Sequence, residues 1–146
     1  MNDYLKIFID GACQPNPGNG GIGVFIDSEE INEEISISLP GIVTNNIAEY
    51  EALIFALDLI LKKYSSFKQI RIFSDSKLVC MQFNKKWKCK DNNLKSLLEK
   101  AHAISSQIPS EIILTYIPRE ENKVADELAK NGICLLYTSP SPRDSG

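Results

Sequence analysis

Hydrophobic positions change period along the chain, and each change marks an element. Residues 4–10 ("YLKIFID"), 21–27 ("GIGVFID") and 31–39 ("INEEISISL") alternate or run apolar over strand-length windows. They read as three strands joined by short turns, which predicts an antiparallel meander. Residues 46–63 ("NIAEYEALIFALDLILKK") switch to a helical period, and Thr44 or Asn45 can cap that helix. "QIRIFSD" (69–75) is a fourth strand, followed by a short helix at 76–83, a basic and aromatic stretch, and a helix near 91–106. "EIILTYI" (111–117) is a fifth strand, and "ENKVADELAKNG" is a closing helix with Gly132 as its stop. The order βββαβααβα predicts an α/β fold, a mixed sheet with helices on its faces.

From Ile133 the chain reads "ICLLYTSPSPRDSG", Ser/Pro-rich and without an amphipathic period. It resembles a translated cloning or sequencing-adaptor remnant. The expected organisation is therefore one domain over residues 1–132, with 133–146 a disordered or non-native tail that leaves the last helix cut short. A length of 146 residues and a hydrophobic fraction of 43% suit one core. No apolar run is long enough for a bilayer and "MNDYLK" lacks a signal-peptide pattern, so a cytoplasmic monomer without membrane contact is expected. Cys13, Cys80, Cys89 and Cys134 form no CxxC pair or zinc spacing and read as reduced thiols. A net charge of −3 argues against nucleic-acid binding by bulk charge but leaves room for a local basic patch.

The candidate chemistry lies in four acids, each with an ordinary explanation when taken alone. Asp10 ends an apolar strand before the Gly-rich run "GACQPNPGNGG", as a turn aspartate would. Asp75 closes "IRIF" where it could cap a helix, and Asp126 sits among polar neighbours Asn122 and Lys130 as an exposed helical aspartate would. Glu49 is sharper. Its neighbours at helical spacing are Ala52, Leu53, Ala56 and Ile60, so it shares the buried face. Together they read differently: two end adjacent-looking strands, one lies on the inner face of a helix start and one on a helix that follows a strand, and α/β sheets gather ligands beyond the carboxyl ends of their strands. Converging carboxylates repel unless cations lie between them, and hard oxygen ligands suit Mg²⁺ or Mn²⁺. Two such ions about 3.5–4 Å apart are the apparatus of in-line phosphodiester displacement.

These residues lie in four motifs: "DGACQPNPGNGGIG" (10–23), "TNNIAEYEAL" (44–53), "SDSKLV" (74–79) and "REENKVADELA" (119–129). In that order and spacing, over residues 4–131, the chain resembles type 1 ribonuclease H, the enzymes that cut the RNA strand of an RNA/DNA hybrid. The resemblance implies a mixed five-stranded sheet with the first three strands antiparallel. It places the catalytic and metal-binding set on Asp10, Glu49, Asp75 and Asp126, with two Mg²⁺ ions (Mn²⁺ as a substitute). Hydrolysis would leave 3′-OH and 5′-phosphate ends. Substrate contacts fall on Gly11, Cys13, Asn16, Asn45, Asn46, Lys77 and Asn122. Amide side chains and glycine backbone can donate to phosphate, base edge and ribose 2′-OH.

The chain departs from the family in two places. The basic protrusion of longer members shrinks to "NKKWKCK" (84–90), where Lys85, Lys86, Lys88 and Lys90 surround Trp87 and can still hold a DNA backbone. The loop histidine before the last aspartate is missing from "IPREEN". Arg119, Glu120 and Glu121 are the candidates in its place, and the single histidine, His102, falls mid-helix. "GNGGIG" (18–23) has the GxGxxG form, but "VFIDS" continues as strand where a dinucleotide site needs a helix, so no nucleotide cofactor is expected. The rival readings are a catalytically silent hybrid-binding domain and a nuclease of this fold acting on another nucleic acid.

Overall fold

The computed structural model describes residues 4–135. Its strands are β1 (Tyr4–Gln14), β2 (Gly18–Asp27), β3 (Asn32–Val43), β4 (Gln69–Ser74) and β5 (Glu111–Tyr116). Its helices are α1 (Asn45–Leu59), extended by a π-helical turn at Ile60–Tyr64, then α2 (Lys77–Phe83), α3 (Asn92–Gln107) and α4 (Lys123–Cys134). The five strands form one sheet in the order β3-β2-β1-β4-β5. The β1–β2–β3 meander is antiparallel, and β4 and β5 run parallel to β1. This is the expected mixed α/β sheet.

Alternation builds the core. Leu5, Ile7 and Ile9 of β1, Ile22, Val24 and Ile26 of β2, and Ile70 and Ile72 of β4 are all buried on one side of the sheet. They join a single cluster with Ala48, Ala52, Leu53, Ala56, Leu57 and Ile60 along α1. Burying each large aliphatic side chain contributes roughly 1.5–3 kcal/mol. Thr44 caps α1, its hydroxyl accepting from the Ile47 amide at 3.2 Å. The other side of the meander carries α4.

Three expectations change. β2 starts at Gly18 rather than at the expected residue 21, and β1 runs past its expected end at Asp10 to Gln14 in register with it, through Gly11↔Ile22 to Gln14↔Asn19. Glycine reads as loop because of its backbone freedom; here its missing side chain is what counts. A Cβ on Gly23 would lie 2.3 Å from the Ala125 carbonyl oxygen, and one on Gly21 2.4 Å from that of Ala129. α4 thus rests on bare β2 backbone. Second, α4 passes through Gly132, whose own Cβ would lie 2.5 Å from the Ile37 carbonyl oxygen. Gly132 is a contact with the sheet rather than a stop. Third, Ile133 is therefore part of the packed helix, 5% exposed, and not of the expected tail. The expected tail beyond Leu135 lies outside the described residues. No helix among the described residues is long and apolar enough to cross a membrane.

Candidate active site

The site opens where one ladder stops. β4 pairs with β1 only as far as Ile9↔Ser74. Asp10 and Asp75 are the next residue on each strand, side by side at the end of that pairing. Asp10 is therefore mid-strand in β1, not at its end, and 4% exposed. Asp75 is not the cap of α2 either. Ser76 caps it, its hydroxyl accepting from the Val79 amide at 3.3 Å, which leaves the Asp75 carboxylate uncommitted to the helix.

Glu49 arrives from α1, one turn in from its N-terminus. A Cβ on Gly11 would lie 2.1 Å from the Ala48 carbonyl oxygen, so only glycine lets α1 approach β1 this closely. The approach brings Glu49 Oε1 within 2.9 Å of the Gly11 amide, which donates to it. One oxygen from each of Asp10, Glu49 and Asp75 then lies within 4.8 Å of the others. Asp126 comes from α4. It stands outside that group of three but near enough to raise the Asp10 carboxyl, and its Oδ2 accepts from Lys130 Nζ at 3.1 Å.

Charge explains what such a cluster needs. Burial first, then the Glu49 and Asp75 charges and the Asp126 contact, push the Asp10 carboxyl far above its ordinary range. Burial and Asp75 push Glu49 up as well, against the Gly11 amide, the Asp10 hydrogen bond and the Arg119 guanidinium. Without added positive charge the site holds protons it would not hold in water. Its donors are all carboxylate oxygens, the set that binds a hard divalent cation.

Known proteins resemble this chain in sequence and in fold. A family model described as reverse transcriptase-like matches residues 8–132. A ribonuclease H from Aromatoleum aromaticum is 32% identical over 147 residues, covering 91% of this chain and 92% of that protein. The bifunctional protein Rv2228c of Mycobacterium tuberculosis is 34% identical over 133 residues, covering 88% of this chain; the chain spans 36% of that longer protein. The crystal structure of LC11-RNase H1 in complex with an RNA/DNA hybrid superposes with a TM-score of 0.83 at 34% identity, covering 91% of this chain and 99% of that one.

The chain belongs to the type 1 ribonuclease H family.

The other residues that a ribonuclease H would turn to its substrate fall into three places. Cys13, Asn16 and Asn45 form one polar patch beside the acids. The Cys13 thiol points to Asn45 Oδ1 at 3.3 Å and Asn16 Oδ1 at 3.5 Å, and Asn16 Oδ1 also accepts from the Asn45 amide at 3.2 Å. Asn46 is exposed next to it, while Gly11 is buried with its amide already given to Glu49. Lys77 is exposed on the first turn of α2. Lys85, Lys86, Lys88 and Lys90 are exposed after α2, with Trp87 43% exposed among them. Lys85 has φ +63°, a left-handed conformation costing a non-glycine residue roughly 1 kcal/mol.

Asn122 is corrected in kind. Grouped by sequence with the substrate contacts, it is 1% exposed and lies beneath the acids. Its Nδ2 donates to the Ile9 carbonyl at 2.8 Å and to Asp75 Oδ2 at 3.3 Å, tying α4 to the end of the β1–β4 ladder. Its Oδ1 is buried without a partner among the described residues. Its place inside the last motif gave no signal of that role. Of the three candidates for the missing loop histidine, Arg119 is the one whose charge reaches Glu49, whereas Glu120 and Glu121 line a groove with Phe8, Phe25 and Asp27. His102 has no part in the site. Its Nε2 lies 2.9 Å from the Phe83 carbonyl and its ring packs on Phe83.

Proposed function

We propose that this chain is an endonuclease that hydrolyses the RNA strand of RNA/DNA hybrids with two divalent cations, Mg²⁺ ahead of Mn²⁺, leaving 3′-OH and 5′-phosphate ends. The observation that carries the reading is the convergence of one oxygen from each of Asp10, Glu49 and Asp75 within 4.8 Å of one another, in a member of the ribonuclease H family. Bound there, the ions would supply an activated water and a counter-charge for the leaving 3′-oxygen. Asp10 feels the charges of Glu49, Asp75 and Asp126, so it is the residue two ions would share. Glu49 and Asp75 would complete one position and Asp126 the other.

The chain's own groups supply the rest. The Gly11 amide fixes the Glu49 carboxylate, and Asn122 fixes Asp75. The Cys13, Asn16 and Asn45 patch offers amide and thiol groups suited to reading a 2′-OH. The exposed lysines after α2 offer charge to the uncut strand. The same reading makes the protein a cytoplasmic monomer, in keeping with four cysteines of which none is in a disulfide.

The test is one labelled RNA strand presented as RNA/DNA hybrid, as RNA duplex and alone, with Mg²⁺ and with EDTA. Metal-dependent cutting of the hybrid alone is expected. Binding without cutting at any Mg²⁺ or Mn²⁺ concentration would make the protein a silent hybrid-binding domain. Equal cutting of a duplex of another kind would move the substrate.

A further inference from the structure

The basic loop between α2 and α3 is tied down at more points than a connection needs. At its start, the Lys86 amide donates to the Met81 carbonyl at 2.8 Å and the Lys85 amide to that of Gln82 at 3.0 Å, the closure that normally places glycine where Lys85 stands. At its end, the Asp91 carboxylate caps α3 by accepting from the Asn93 and Leu94 amides at 2.8 and 3.1 Å. These two closures would suffice to join the helices.

A third tie runs through the interior. Gln82, 6% exposed, accepts from the Tyr50 hydroxyl at 2.5 Å and donates to the Lys88 carbonyl at 3.3 Å. Tyr50 is fully buried and follows Glu49 directly on α1. Two hydrogen bonds thus lead from the helix that carries a cluster carboxylate to the backbone of a loop lysine. A buried carboxamide and hydroxyl are costly unless satisfied, and an apolar pair would fill the same space without needing partners. The loop they hold keeps a lysine in a left-handed conformation, so its shape is over-determined while its charges stay in solvent.

We propose that Gln82 is a positioning residue for the nucleic acid. It holds the Lys88 segment at a fixed offset from the carboxylates, so that the uncut strand meets an ordered row of charge rather than a mobile one. The proposal rests on the hybrid-cleaving reading above.

The experiment uses the full chain and compares Gln82→Met, Tyr50→Phe, Lys88→Ala and the Gln82→Met/Lys88→Ala pair. Readouts are kcat, KM for a hybrid across a salt series, thermal melting, and the anisotropy of Trp87, the single tryptophan of the chain. Gln82→Met should raise KM by about 5–20-fold with kcat within about twofold, and should flatten the slope of log KM against log salt by up to about one phosphate contact. Trp87 anisotropy should fall with it. The pair should be no worse than Lys88→Ala by more than about twofold, because both act through one segment. A Gln82→Met protein with lowered melting temperature but unchanged KM, salt slope and Trp87 anisotropy would overturn the proposal. If Gln82→Met does not fold, Tyr50→Phe carries the same expectations. A parent protein that fails to cut or bind hybrid sinks the underlying reading instead, and that result is seen before any variant is made.

Discussion

Replacing Asp10 by Asn should make the metal-free protein more stable, and by an amount that grows with pH. The carboxyl has an ordinary value of 3.8 and is raised by burial and then by its acidic neighbours. A raised value in the folded chain means that the folded state keeps a proton the unfolded state sheds. The stability this group allows is therefore full below about pH 4 and is lost as pH climbs toward the raised value. At pH 7, linkage of about 1.36 kcal/mol per pH unit sets an upper limit of about 4 kcal/mol on the loss. Asn has no proton to lose, and its amide can still donate to Glu49 or Asp126. Thermal or urea unfolding in EDTA between pH 4.5 and 8.5 measures the difference. The two proteins should agree within about 1 kcal/mol at the acid end, and Asp10→Asn should lead by about 2–4 kcal/mol at the alkaline end. For a chain of this size that is roughly 5–12 °C. A lead that does not grow with pH, or a variant less stable than its parent at pH 8, would refute the picture of mutually repelling buried carboxylates. The same variant should lose hybrid cleavage at every Mg²⁺ concentration.

Divalent ions should reverse the order. Mg²⁺ at about a hundredfold its dissociation constant adds about 2.7 kcal/mol to a protein that binds it only when folded, so the parent should melt higher in Mg²⁺ than in EDTA while Asp10→Asn barely moves. Asn122→Ala leaves the Ile9 carbonyl unpaired and Asp75 unsupported; urea unfolding should show a loss of about 1–3 kcal/mol, and cleavage should fall by about 10–100-fold. Gly23→Ala puts a Cβ against the Ala125 carbonyl and must shift α4; a cost of about 1–3 kcal/mol or more with reduced kcat is expected, and full stability with full activity would show that the helix is not seated this way.

The elements were legible in the sequence wherever one side of each is apolar and the other is not. The meander, β4 and β5 announce themselves by period and α1 by its long apolar run, and the inward aim of Glu49 follows from the four apolar residues that share its face. The glycines misled, because a residue without a side chain suggests freedom when its neighbours are unknown. Only the three-dimensional position of α4 shows that Gly21, Gly23 and Gly132 are contacts. Asp10 was placed at a strand end for the same reason. Asn122 was legible as part of a motif but not as a buried tie, since the bond to Ile9 spans 113 residues of chain. The strut through Gln82 was invisible, because a glutamine between methionine and phenylalanine on a short helix gives no sign of what it faces.

The bare patch where α4 meets β2 bears on how freely the sequence can drift. Most active-site aspartates are held in place by the shapes of the side chains beneath them, and each change in those shapes moves the carboxylate a little. Asp126 rides on a helix whose seat is backbone against backbone, at Gly21, Gly23 and Gly132. Its position thus leans on peptide geometry, along with the Asn122 tie and the helix's own buried Leu128 and Ile133. The apolar residues around α1 and β4 can exchange for others of similar volume without detuning the fourth carboxylate, while three glycines have no acceptable replacement. Variation should accordingly be generous in the core and absent at those three points.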